Sequence, residues 1–386
     1  MPPIPVPTLP PLAGEIQPAR ALAALAEALR ASRGFAHKTD IAAVRAALDP
    51  AAADAPAGPP AWARALDPAW AATGPLAAGL AAAVPNGDDT AAVPLPASPG
   101  GGGHLLFAIE GLVEDFVARD PWFAGYSALM VNLSDIAAMG GRAIGVVDAI
   151  WAPDAEAAVP VLAGLAAAAA RYGVPVLGGH SNLRAAHGQL AVAVLGHARA
   201  LLSSFEARPG DRLMVVVDLR GAWRGEAPYW NASTQAPPER LRADLALLPA
   251  LAEAGLCRAA KDISMAGVLG STLMLLEASG VGATVDLDAL PAPPGLAPAE
   301  RLRWLQAFPS YGFVLSVAPD RVEAVQQHFA AARLACAAVG TVEAGRALRL
   351  AAGSVPELAP ILLWDAAMQS FILPPGPAAD REPAHG

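Results

Sequence analysis

A chain of 386 residues is longer than one hydrophobic core ordinarily organises, so two domains with accessory segments are expected. A formal net charge of −9 without a cluster of Lys and Arg excludes a general nucleic-acid surface, although a nucleotide can bind where metal ions and helix N-termini offset its phosphates. Much of the 54% hydrophobic content is alanine, the apolar run 155–170 is short and interrupted by Glu156 and Pro160, and the N-terminus lacks a basic segment followed by an apolar one; a cytoplasmic protein without membrane spans is expected.

In chain order, residues 1–75 read as a helical arm and linker. A Pro-rich start precedes a helical pattern over Pro18–Arg33; Thr39 is placed to cap a second helix, Asp49-Pro50 to end it, and 50–74 is an Ala/Pro-rich connection. Residues 76–203 read as an α+β domain. Ala91–Leu95 and HLLFAIEG form a hairpin around the Gly-rich 98–103, a helix over 122–139 ends at Gly140-Gly141, and strands follow at 143–151, 174–179 and 189–198 around the Ala-rich helix. Residues 204–355 repeat the alternation as an α/β sandwich. It opens on RLMVVVDL and passes an aromatic loop at 223–238 and a capped helix in KDISMAGVLGSTLMLLEASG; residues 356–386 read as a tail. Cys257 and Cys336 lack CxxC spacing and read as buried thiols rather than a disulfide or zinc site.

The chemistry-bearing residues fall in separate segments. Asp88 and Asp89 follow the Asn86-Gly87 turn; alone they fit a solvated hairpin as well as a metal site. In VNLSDIAAMGG, Asn132 and Asp135 are three apart on one helical face amid apolar neighbours, a costly place for a charge unless it faces a ligand. Glu110 ends an apolar strand, and VPVLGGHSN delivers Gly178, Gly179 and His180 at a strand terminus, where missing side chains allow close backbone approach to a ligand. Asp262 or Ser264 can cap the following helix, whose first N–H groups suit an anion. Lys38 can meet a phosphate, His37 can serve as acid or base, and Arg224 suits an acidic substrate group.

Taken together, GDDTAAV, the acid-ended strand, NLSDIAAMGG, VPVLGGH, KDIS and SGVGATVDLDALP resemble, in this order over roughly residues 80 to 350, the aminoimidazole ribonucleotide (AIR) synthetase superfamily. Its relatives include thiamine-monophosphate kinase, selenophosphate synthetase and the hydrogenase-maturation carbamoyl dehydratase. The resemblance implies a two-domain α+β subunit whose N-terminal domains pair into a β-barrel across a homodimer. It also implies ATP and Mg2+ as cofactors and phosphorylation, or activation by phosphorylation, of an oxygen of a small-molecule substrate. By matching position, Asp88, Asp89 and Asp135 would hold magnesium, Gly178 and Gly179 would approach the nucleotide, and Asp262 matches the acid that opens the Asp-Ile-Ser motif; beside them Glu110 is expected as a further metal ligand, Gly87 and Asn132 as nucleotide contacts, and Lys38, His180 and Asp262 as catalytic residues. His180 and Met265 stand where thiamine-monophosphate kinase-like sequences carry acids. These departures fit either a different substrate or a protein that binds a nucleotide or metabolite without turning it over.

Overall fold

The computed structural model describes residues 6–53, 84, 86–95 and 102–373, so most of the expected linker at 50–74 and the chain end lie outside the described residues. The helices are α1 (Pro18–Arg30), α2 (Arg33–Ala53), α3 (Glu114–Arg119), α4 (Pro121–Ala138), α5 (Ala155–Tyr172), α6 (Pro238–Leu245), α7 (Leu247–Glu253), α8 (Gly267–Ser279), α9 (Arg301–Leu305) and α10 (Val322–Ala331). The strands of the first sheet are β1 (Ala91–Leu95), β2 (Gly103–Leu112), β3 (Arg142–Trp151), β4 (Val176–Asn182) and β5 (Gln189–Ala198). In the second half, β6 (Arg212–Val217), β7 (Ala222–Trp223), β8 (Tyr229–Asn231), β9 (Ala259–Asp262), β10 (Gly282–Asp286), β11 (Phe308–Pro309), β12 (Gly312–Val317), β13 (Ala335–Glu343), β14 (Ala347–Ala351) and β15 (Ile361–Asp365) follow.

The first sheet has the order β1-β2-β5-β3-β4, antiparallel except for the β3–β4 pair. Strand alternation divides β2 into a buried row, Leu106 and Ala108, and an outward row, Phe107 and Ile109. The buried row meets α4 and α5, with Leu129, Leu133, Val161 and Leu165 in the same core. The opposite face stays open, exposing Phe107, Ile109, Ile144, Val147 and Leu177 to solvent. Asp120 opens α4 by accepting the Phe123 N–H at 3.3 Å, with Pro121 in the first turn. α4 is buried along almost its whole length, because its end also packs Ala137 and Ala138 into the second domain.

The second sheet runs β15-β14-β10-β13-β6-β12-β9, with helices on both faces. In β6, Leu213, Val215 and Val217 join the layer built by α1 and α8, while Met214 and Val216 join the layer of α7 and α10. A period of two along one buried strand thus feeds two hydrophobic layers, the expected sandwich. β7, β8 and β11 form a small separate sheet.

Several boundaries depart from expectation. α2 begins at Arg33 and continues through Pro50 to Ala53, and Thr39 lies inside it, its hydroxyl donating to Ala36 O at 2.7 Å rather than capping. β4 extends to Asn182, so Gly178, Gly179 and His180 sit within the strand instead of at its end. The segment after 355 is no tail: β15 is the edge strand of the second sheet, and Phe371 and Ile372 are buried beyond it. Their N–H groups donate to the buried carboxylate of Glu277, each at 2.7 Å, which removes the cost of an unsatisfied acid in the core. Residues 6–53 are likewise built onto the second domain. Leu9, Leu22, Leu29 and Phe35 are in its core, and the Phe35 ring lies 5.2 Å from that of Phe371.

Candidate functional site

The turn at 86–90 before β1 and the end of β9 meet where α4 crosses between the domains. Asp89 comes from the turn before β1, Asp135 from the last turn of α4 and Asp262 from the end of β9, and one oxygen of each lies within 4.8 Å of the others. The Asp262 N–H donates to Asp89 at 3.3 Å, tying the two domains at this point. Burial, with Asp262 and Glu110 beside it, raises the Asp135 carboxyl well above the usual carboxylate range, while Lys38 acts in the opposite sense. Asp135 also sits at the negative end of its helix, a second reason why its anion needs a cation. Three hard oxygen donors from three segments suit magnesium, so the donor set fits the cation that the motif order implies.

Lys38 and Glu110 complete the surroundings. Lys38 projects from α2 into the field of Asp262, Glu110 and Asp135, yet burial and then the neighbouring Lys261 hold its ammonium below its ordinary pKa. Burial raises the Glu110 carboxyl and Lys38 lowers it. Both line a cavity of about 120 Å³ whose wall includes Phe116, Phe123, Met130, Tyr229 and Phe308. Asp262, Ser264 and Met265 line it too, and the buried Ser264 hydroxyl finds no hydrogen-bond partner among the described residues.

The remaining expected site residues lie elsewhere or act differently. Asp88 turns away from the cluster: Ser203 Oγ donates to it at 2.6 Å and the Ser204 N–H at 3.0 Å, which ties the interdomain connection to the turn. Burial raises its carboxyl against those hydrogen bonds. Gly87 has φ +117°, a backbone conformation that side-chain-bearing residues rarely adopt, and a Cβ there would meet the Arg45 guanidinium, which donates to the Asn86 carbonyl. Asn132 is fully buried, its amide donating to Ala128 O at 2.7 Å and to Val192 O at 3.0 Å, so it fastens α4 to β5 rather than facing a ligand. Gly178, Gly179 and His180 are exposed on the edge strand, and no described contact joins them to the carboxylates. Asp262 ends a strand and caps nothing, since α8 starts five residues later without a side-chain cap. His37 is exposed and accepts from Arg33 Nε at 3.2 Å. Arg224 is spent on Asp120, at 2.8 Å, and on the face of Phe123.

Lys261 escaped the sequence reading. Its buried ammonium pairs with Asp89 and lies 3.0 Å from Asp262 Oδ1. The available signal was a lysine directly before an acid in a strand that is otherwise apolar, KDIS after two alanines.

Comparison with known proteins follows the same division. Residues 87–198 match the AIR synthase related protein N-terminal domain and residues 208–353 its C-terminal domain. The uncharacterized protein sll0787 of Synechocystis sp. is 46% identical over 73% of this chain and 84% of its own length. Among solved structures, T. maritima PurL complexed with ATP superposes with a TM-score of 0.58 at 21% identity over 70% of this chain, and this chain spans only 45% of that one. AaThiL complexed with AMPPCP and TMP gives a TM-score of 0.54 at 20% identity, covering 72% of this chain and 91% of its own. Both domain matches, in order and meeting at the acidic cluster, establish that the chain belongs to the AIR synthase related protein family.

Proposed function

We propose that the protein is an ATP- and magnesium-dependent enzyme that phosphorylates, or activates by phosphorylation, an oxygen of a small molecule. The observation that carries this reading is the convergence of Asp89, Asp135 and Asp262 within 4.8 Å, across the domain interface and beside a cavity walled by Lys38 and Glu110. Magnesium held there would neutralise charge on the phosphates of a bound nucleotide. Lys38 supplies a buried ammonium that can stabilise charge growing on a transferred phosphoryl group, and in its desolvated surroundings such a contact is worth more than in water. Glu110 faces the same cavity and can orient, or accept a proton from, a hydroxyl placed there. The largely apolar wall excludes water and holds the body of the substrate. The fold shared with PurL complexed with ATP and with AaThiL complexed with AMPPCP and TMP supports the choice of nucleotide.

The same reading includes a homodimer. The exposed apolar row of the first sheet, with Ile109 at 71% exposure and Leu177 at 63%, is costly to leave in water, and a second copy facing it would close a barrel. β4 would then lie at the seam, where Gly178, Gly179 and His180 could face a nucleotide only in the paired state.

Calorimetric titration with AMPPCP and Mg2+ tests the site: binding is expected for wild type and lost by at least about tenfold in Asp135→Asn. Asn132→Ala, by contrast, should lower stability by about 1–3 kcal/mol in urea unfolding yet keep nucleotide binding, because it removes a core hydrogen bond. Equal nucleotide binding in wild type and Asp135→Asn would defeat the assignment.

A pH series addresses the buried Asp135 carboxyl. The folded protein raises the Asp135 carboxyl above 3.8, so without metal it holds a proton that the unfolded chain releases. Stability of chelator-treated protein is therefore full below about pH 4 and falls as pH rises through the raised folded value. Asp135→Asn should flatten this slope and saturating Mg2+ should oppose it; Glu110, shifted in the same direction, leaves a residual slope.

Sedimentation velocity tests the dimer. Wild type is expected to sediment as a dimer and Ile109→Glu as a folded monomer; a wild-type monomer at micromolar concentration removes the barrel from the proposal.

A further inference from the structure

The three carboxylates that make the candidate metal centre already hold a cation from the chain itself. Lys261 is 7% exposed, and its ammonium contacts Asp89 and Asp262, two members of the cluster, the second at 3.0 Å. A divalent ion placed among these carboxylates would stand against the ammonium, a like charge at close range in a buried site. Lys261 also bridges domains, since it belongs to β9 of the second sheet and Asp89 to the turn before β1 of the first. Removing it without replacement would leave buried like charges facing one another, an arrangement that costs more than an intact pair.

Resting on the proposed magnesium and nucleotide site, we infer that Lys261 is a resident counter-cation that yields its place when a metal–triphosphate complex arrives. A divalent ion attracts each carboxylate twice as strongly as an ammonium at equal distance, so it can win the position. Evicting the ammonium leaves a buried charge in need of an anion. Free metal brings none, whereas a triphosphate supplies oxygens next to the metal it carries. Lys261 therefore penalises free metal and favours metal already bound to its nucleotide, which couples the two ligands through one side chain. Lys261 is the lysine whose ammonium pairs directly with the cluster, through Asp89 and Asp262.

Two titrations of the full chain read this out: free Mn2+ by electron paramagnetic resonance, and the preformed Mn2+–AMPPCP complex by calorimetry. The coupling predicts opposite signs in Lys261→Met: free Mn2+ binds at least about tenfold tighter than to wild type, and Mn2+–AMPPCP at least about fivefold weaker. Lys261→Arg, which keeps the charge, should retain the wild-type pattern. Lys261→Gln repeats the measurement should the Met variant not fold, as judged by circular dichroism. Free Mn2+ affinity that is unchanged or weaker in the neutral variants overturns the inference, as does undiminished affinity for Mn2+–AMPPCP. If Asp135→Asn abolishes Mn2+ binding while Lys261→Met equals wild type, the metal site stands and the role of Lys261 falls. Absence of Mn2+ binding in every protein removes both.

Discussion

The arrangement depends on one electrostatic constraint: three carboxylates are buried together at the junction of two domains, and they cannot all be anions there without a cation. Asp135 feels it most strongly, being buried and at the negative end of α4. Natural cores avoid such clusters unless a partner repays the desolvation. Here the chain offers two lysines, Lys261 on β9 and Lys38 on α2, and the hard oxygen donors suit a divalent cation as well.

The fold serves that junction. α4 runs through the core of the first domain and ends inside the second, so its last turn delivers Asp135 to the seam. β9 lies at the edge of the seven-stranded sheet and is short enough that Lys261 and Asp262 emerge at its end. The N-terminal arm is fastened to the second domain by Leu22, Leu29 and Phe35, which lets α2 present Lys38 to the acids and Arg45 to the Gly87 turn. Asp88 spends its charge on Ser203 and Ser204, holding the interdomain connection against the turn that bears Asp89. Adjacent acids in GDD thus divide the work, one fixing the backbone and the other facing the cation.

Much of this was legible in the sequence where a single period governed burial. β1, α4, α5 and β5 emerged close to their observed limits, because alternation or helical spacing maps directly onto a buried face. The motif order led to the correct family and both domains. Side-chain direction was less legible. Asn132 and Asp135 share a helical face by spacing, yet one bonds to β5 and the other joins Asp89 and, from the edge of the second domain's sheet, Asp262; spacing alone does not separate them. Asp88 and Asp89 are equivalent as text, and the serines that claim Asp88 lie 115 and 116 residues away. For Lys261 the sequence carries only the oddity of a lysine in an apolar strand and not its pairing, since its partner Asp89 is remote in sequence. The strand at 361–365 was missed because a single edge strand, followed by residues held through Glu277, carries no periodic signal of its own.

The likeness to PurL and AaThiL establishes the common architecture, while on the proposed reading the choice of substrate would rest on the wall of the cavity. That wall is mostly aromatic and aliphatic, and its charged members gather next to the acidic cluster. Under the proposed function, recognition of a substrate body and handling of a phosphoryl group would lie side by side. The most direct measurement is a crystal structure of the full chain with Mn2+ and AMPPCP, using anomalous scattering to locate the metal. The account predicts a manganese peak about 2.1 Å from oxygens of Asp89, Asp135 and Asp262, with the triphosphate on it. A metal held by the nucleotide alone, or by Asp88 away from that cluster, would contradict it.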